Sequence, residues 1–184
     1  MIRHIIQGER VFLRPFEKSD AEHYHRWRAD ADVAALAGLP LPLSLAQIEQ
    51  RIGDKQVDSQ YAYVICLRED ERPIGEALLF EVDRLNGSAE LGILIGEKEE
   101  WGLGYGTDAV NALVDFGFAA LRLERIWLEV WTENGRARRA YEKAGFVHEG
   151  TLRHDRYEDG RFTDGHVMSL LRHEWLEFDR RKSP

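Results

Sequence analysis

The sequence predicts an α+β fold: a mixed, mostly antiparallel sheet of about seven strands with one parallel crossover, flanked by about four to five helices. Three observations predict it. Three strand-like segments between Tyr61 and Ile95, separated by short polar turns, read as an antiparallel meander. The strand–helix–strand order from Ser88 to Trp131 implies a crossover and parallel pairing. Two last strand-like segments meet at Asp159-Gly160, a hairpin signal. A doubly wound dinucleotide fold repeats strand–helix units, and one clear unit is present here.

Taken in order, Arg10–Pro15 alternates Val11 and Leu13 with Phe12 and Arg14 and stops at a proline, as a strand does. Ser19 and Asp20 are cap-forming residues before a helix to about Arg28. A shorter helix over Asp32–Ala37 is broken by Gly38 and Pro40. Ser44-Leu-Ala-Gln47 is a capping box opening a third helix, to about Asp54. The period then changes. Tyr61, Tyr63, Ile65 and Leu67 alternate with Ala62, Val64, Cys66 and Arg68, and after a polar turn Pro73–Val82 forms a second strand. Asn86-Gly87 turns the chain into the strand Ser88–Ile95. Val110, Leu113, Val114, Gly117 and Leu121 form one stripe of a helix over Thr107–Leu121. Arg125–Trp131 is a strand. Gly135–Ala144 is a helix with Ala137, Ala140, Tyr141 and Ala144 on one face and Gly145 at its stop. Val147–Tyr157 and Arg161–Leu171 complete the sheet.

Composition narrows the function. A chain of 184 residues with 43% hydrophobic content is expected to form a single domain over 1–184. No apolar run approaches the roughly 18–20 residues that span a bilayer, and no signal-peptide core is present, so a cytoplasmic protein with no membrane partner is expected. The lone Cys66 excludes an internal disulfide framework. A net charge of −8 argues against a nucleic-acid partner. His23 and His25, two apart on a helix, do not share a face, and no metal site is expected.

The richest stretch is Glu90–Gly106. A short apolar strand runs through a charged loop into a glycine-rich turn and then a helix. Gly102, Gly104 and Gly106 let backbone N–H groups around Leu103–Thr107 point into one space, and the first helical turn adds N–H groups and a positive dipole end. That is an anion cradle. It carries neither the phosphate-loop Gly-Lys-Ser/Thr nor the G-x-G-x-x-G fingerprint, because it reads G-x-G-x-G. Strand alternation puts Glu90, Gly92 and Leu94 on one face and Leu91, Ile93 and Ile95 on the other. Glu90 in a half-buried cleft would have a raised pKa suited to a general base; an edge-exposed carboxylate is the equal alternative. Asn134 stands where a helix cap is needed. Tyr141 lies on an apolar helix face, as a core tyrosine would.

From Glu90 to Trp175 the chain resembles the GNAT superfamily of acetyl-CoA-dependent N-acetyltransferases. The resemblance rests on Trp101-Gly102-Leu103-Gly104-Tyr105-Gly106, on Asn134-Gly-Arg-Ala-Arg-Arg-Ala-Tyr141-Glu-Lys-Ala-Gly145-Phe146, and on the tail from Glu149-Gly150-Thr151-Leu152-Arg153 through Asp159-Gly160 to Glu174-Trp175. Trp101 stands where the superfamily pattern has Arg or Gln. The Trp-Gly-x-Gly-Tyr form looks like the branch that acetylates ribosomal-protein N-termini (the Rim type). The resemblance implies direct transfer of acetyl from acetyl-CoA to a primary amine in a ternary complex, with no metal. It implies that the backbone of Ile93, Leu94 and Ile95 meets the pantetheine, that Gly102, Leu103, Gly104, Tyr105, Gly106 and Thr107 hold the pyrophosphate, and that Asn134 lies near the pantetheine. Trp101 either stacks beside the cofactor or packs at the surface. Arg136, Arg138 and Arg139 either reach the 3′-phosphate or line a solvated face. Tyr141 would protonate the leaving thiolate. Glu90 leads as the base, with His154 and Asp155 as alternatives, and Tyr157, Asp164 and His166 either line the acceptor pocket or decorate the hairpin. The acceptor is read as a protein N-terminus, alternatively a polyamine, aminoglycoside or amino sugar; a CoA-binding sensor without catalysis is the contrasting class. The last hairpin offers a surface for a homodimer.

Overall fold

A hairpin of β1 (Ile6–Gln7) and β2 (Val11–Pro15) opens the computed structural model, which describes residues 6–37, 43–55, 61–158 and 160–182. A short 3-10 turn, Lys18–Asp20, leads into α1 (Ala21–Ala29), α2 (Ala31–Ala37) and α3 (Leu45–Lys55). Then come β3 (Tyr61–Leu67), β4 (Pro73–Asp83), β5 (Ser88–Ile95), α4 (Tyr105–Ala119), β6 (Arg125–Trp131) and α5 (Gly135–Lys143). The chain closes with β7 (Val147–Glu158), β8 (Arg161–Leu171) and α6 (Arg172–Lys182). The strands form one sheet in the order β1-β2-β3-β4-β5-β6-β8-β7. Every neighbouring pair is antiparallel except β5 and β6, which the α4 crossover makes parallel.

That parallel pairing is short. It covers Ser88, Ala89 and Glu90 against Arg125, Ile126 and Trp127, and no further pair forms. Leu91–Ile95 and Glu129–Trp131 therefore face one another across an open cleft.

Alternation sorts the two faces of the sheet. Ile65, Leu67, Ala77, Leu79, Leu91, Ile126, Leu128 and Met168 pack under α4 through Ala109, Val110, Leu113, Val114 and Phe118. On the other face Val64, Cys66 and Leu94 meet Tyr24, Trp27, Val33, Ile48 and Ile52 of α1–α3. Each fully buried Val, Leu, Ile, Phe or Met side chain among these contributes roughly 1.5–3 kcal/mol. Among the described residues no helix is long and apolar enough to cross a membrane.

The strand count is eight rather than about seven, and the helices number six among the described residues. β1 has two residues, too few for an alternation signal. Its turn needs Gly8, where a Cβ would approach the Asp108 carboxylate to 2.8 Å. α6 is strongly charged, so no apolar stripe announces it; the Trp175 ring packs tilted against Phe118, centroids 5.4 Å apart, and its indole N–H donates to Asp115 at 2.6 Å. The entry to α1 also differs. Ser19 does not cap it. Asp20 is buried, accepts the Glu17 N–H at 2.7 Å and pairs with both terminal nitrogens of Arg14, which pins the preceding turn. The Ser44–Gln47 capping box forms as expected, with the Gln47 N–H reaching Ser44 Oγ at 3.3 Å and the Ser44 N–H reaching Gln47 Oε1 at 2.9 Å. Gly38, Pro40 and Asp159 lie outside the described residues.

Candidate active site

The splay between β5 and β6 opens a cleft of about 560 Å³. One end is made by the glycine turn. Gly102 and Gly104 adopt φ of 79° and 93°, a left-handed backbone that suits glycine, and Gly104 is the N-cap of α4. A Cβ at Gly102 would meet nothing within 4 Å, so this backbone is open to the cleft. α4 starts at Tyr105, two residues earlier than its apolar stripe indicates. Gly106 is therefore inside the helix, and it supplies a first-turn N–H without an intrahelical partner rather than a turn conformation. The facing wall is α5, which presents Arg136, Arg139 and Lys143 to the cleft at helical spacing. Open glycine backbone, a helix N-terminus and three cations fit a diphosphate.

Asn134 does two things. Its Oδ1 accepts the Ala137 N–H at 3.1 Å and caps α5, while its Nδ2 donates to the Leu36 carbonyl at 3.4 Å. Leu36, at the end of α2, thereby reaches the cleft wall. Trp101 lines the cleft with its indole N–H on the Ile95 carbonyl at 2.7 Å, and the Arg136 guanidinium lies 3.9 Å from its ring centroid. The side chain in the Arg/Gln position thus bridges the end of β5 to α5.

The other end is acidic. Glu90 sits in the last residue pair of the β5–β6 seam, opposite Trp127. Burial, reinforced by the charges of Glu129 and Glu81, pushes its carboxyl up to about 7. Glu129 also lines the cleft; burial raises its carboxyl, with Asp155 and Glu81 adding to the effect. Glu76, 4% exposed, also lines the cleft but stands opposite Leu94, toward the glycine-turn end. Tyr141 enters from α5 with 6% exposure, its ring 5.9 Å from Phe146, and burial lifts its phenol above the ordinary tyrosine range.

The structure brings together Glu90, Ile93, Leu94, Ile95, Trp101, Gly102, Gly104, Gly106, Thr107, Asn134, Arg139 and Tyr141 around this one cleft. Leu103 turns outward, 52% exposed, and Tyr105 is buried in the core, so neither side chain lines it. The hairpin residues stand apart. His154, at φ 54°, stacks on Phe162, and its N–H bonds Asp164; His166 meets His148 at 3.2 Å. None of these, nor Tyr157, lines the cleft. Asp155 acts from outside it, through its charge on Glu129. Glu129 was legible in principle: it shares a strand face with Trp127 and Trp131, opposite the buried Ile126, Leu128 and Val130. Leu36 and Glu76 had no local signal.

Residues 10–147 match the family model described as "Acetyltransferase (GNAT) domain". The chain is 31% identical over 171 residues to the uncharacterized N-acetyltransferase p20 of Bacillus licheniformis, covering 91% of this chain and 96% of that one. The crystal structure of spermidine N-acetyltransferase from Vibrio cholerae in complex with CoA and spermine superimposes with a TM-score of 0.84 at 27% identity, over 92% of this chain and 99% of that one. The putative ribosomal N-acetyltransferase YdaF of Bacillus subtilis matches at 34% over 101 residues, 55% of each chain, so the tie to the ribosomal branch is weak. The cleft and these matches identify the chain as a member of the GNAT acetyltransferase family, an acetyl-CoA-dependent N-acetyltransferase.

Proposed function

We propose that the protein acetylates a small polycationic amine of the spermidine class. The observation that carries this reading is the cluster of mutually repelling carboxylates at the Glu90 end of the cleft: Glu90 and Glu129 line it, and the charge of Glu81 acts on both. An acceptor with several ammonium groups relieves the repulsion among these carboxylates, which a peptide N-terminus with one charge does less well. The spermidine enzyme that shares this fold spans nearly the whole chain, whereas the ribosomal-type relative spans about half of it. This favours the small-amine alternative over the protein N-terminus.

When bound, acetyl-CoA supplies a thioester carbonyl activated for attack by an amine. The open backbone at Gly102 and Gly104, the N-terminus of α4 and the α5 cations would hold its phosphates. Glu90 takes a proton from the acceptor ammonium, so the free nitrogen can form the new C–N bond as the C–S bond breaks. Tyr141 donates its proton to the departing sulfur. A base near pH 7 and an acid that stays protonated suit those roles at neutral pH.

The test is an acceptor screen with acetyl-CoA and thiol detection, covering polyamines, aminoglycosides, amino sugars and N-terminal peptides. Polyamines are expected to show a kcat/KM at least about tenfold above peptides, a difference of ~1.4 kcal/mol. The reverse ranking overturns the reading. Glu129 gives a second check. Its negative charge helps raise the Glu90 carboxyl, so in Glu129→Gln the rising limb of the kcat/KM–pH profile should move to lower pH. A limb that stays in place would mean Glu129 does not act on the titrating group.

A further inference from the structure

We infer that Arg10, at the far end of the chain from the glycine turn, is a positioning residue that aims a backbone donor of the diphosphate cradle; this rests on the acetyl-CoA reading of the cleft. Arg10 Nη1 donates to the Leu103 carbonyl at 2.6 Å, and its guanidinium lies 4.1 Å from the centroid of the Tyr105 ring. The residue is itself anchored. Asp108, in the first turn of α4, accepts the N–H groups of Glu9 at 2.9 Å, Arg10 at 2.7 Å and Val11 at 2.9 Å. The β1–β2 turn and the start of α4 are thus clamped from both sides, and the clamp requires Gly8.

A trans peptide carries its C=O and N–H on opposite sides. With the Leu103 carbonyl drawn toward Arg10, the N–H of Gly104 turns the other way. Gly104 lines the cleft while Leu103 does not, and among the described residues the Gly104 N–H has no acceptor. Glycine makes this peptide easy to rotate, since Gly104 tolerates either sign of φ. Arg10 removes that freedom and leaves a donor preset for an anion.

The experiment compares the whole protein with Arg10→Met and Arg10→Lys. Calorimetry should show CoA binding weakened about ten- to thirtyfold in Arg10→Met, the size expected for losing one charge-assisted contact, with an intermediate loss in Arg10→Lys. The change should appear in KM for acetyl-CoA rather than in kcat. S-acetylpantetheine, which lacks the diphosphate, separates positioning from general damage: the ratio of its kcat/KM to that of acetyl-CoA should rise in Arg10→Met. Equal CoA affinity in all three proteins overturns the inference. So does a parallel loss with both acyl donors, which would mark a structural defect. Failure of the unaltered protein to bind CoA would instead overturn the acetyl-CoA reading on which the inference rests.

Discussion

Glu90→Gln is expected to lower kcat by about 10²–10³-fold and to abolish the rise in rate through about pH 7. The size follows from removing a positioned base while leaving the rest of the cleft intact. The pH signature follows from the local environment, since burial and two neighbouring carboxylates hold the proton on Glu90 until about pH 7. The same shift carries a stability consequence of definite sign. The folded value lies above the ordinary 4.5, so this residue's contribution to stability is fully present below about 4.5 and is lost as pH rises through 7. Glu90→Gln should therefore be as stable as the parent near pH 4 and more stable at pH 8. After discounting for partial solvent screening the gain is about 1–2 kcal/mol. Chemical denaturation at the two pH values, run beside initial rates, tests both halves. A variant with the parent's pH–rate profile would move the proton acceptor elsewhere.

Tyr141→Phe is expected to reduce kcat about 10–100-fold with little change in CoA affinity. The ring stays packed against Phe146, so the substitution deletes a hydroxyl without opening a cavity. Burial raises the phenol above the ordinary tyrosine value of 10, so it remains a proton donor across the working range. The parent should show no fall in rate from this group below about pH 10. Stopped-flow thiol release and a CoA titration of the variant are the measurements. Unchanged turnover would remove Tyr141 from the chemistry.

The sequence revealed most clearly what is decided within a few residues. The Ser44–Gln47 box, the Asn86-Gly87 turn, the limits Ser88–Ile95 and Arg125–Trp131, and the glycine turn all depend on local geometry, and the structure has them. What stayed hidden depends on partners far apart in sequence. β1 exists because Gly8 leaves room for Asp108, and Leu36 lines the cleft because Asn134 holds its carbonyl. The same distinction explains the acceptor. Trp101–Gly106 and Asn134–Phe146 contribute residues to the cleft proposed for the cosubstrate, and a motif built around a shared cosubstrate carries little about the amine. The acidic end is assembled from Glu90 of β5 and Glu129 of β6, with the charge of Glu81 of β4 acting on both, and these residues declare themselves only once the strand faces are known.

The three-pair seam between β5 and β6 has a mechanical consequence. Ala89 and Ile126 are fully buried in it. Beyond it β5 runs on from Glu90 to Ile95, roughly 17 Å at 3.3 Å per residue, still laddered to β4 at every pair from Phe80 opposite Glu90 to Gly75 opposite Ile95. The wall of the cleft is thus braced from behind: its backbone keeps strand spacing while the edge toward β6 stays unpaired.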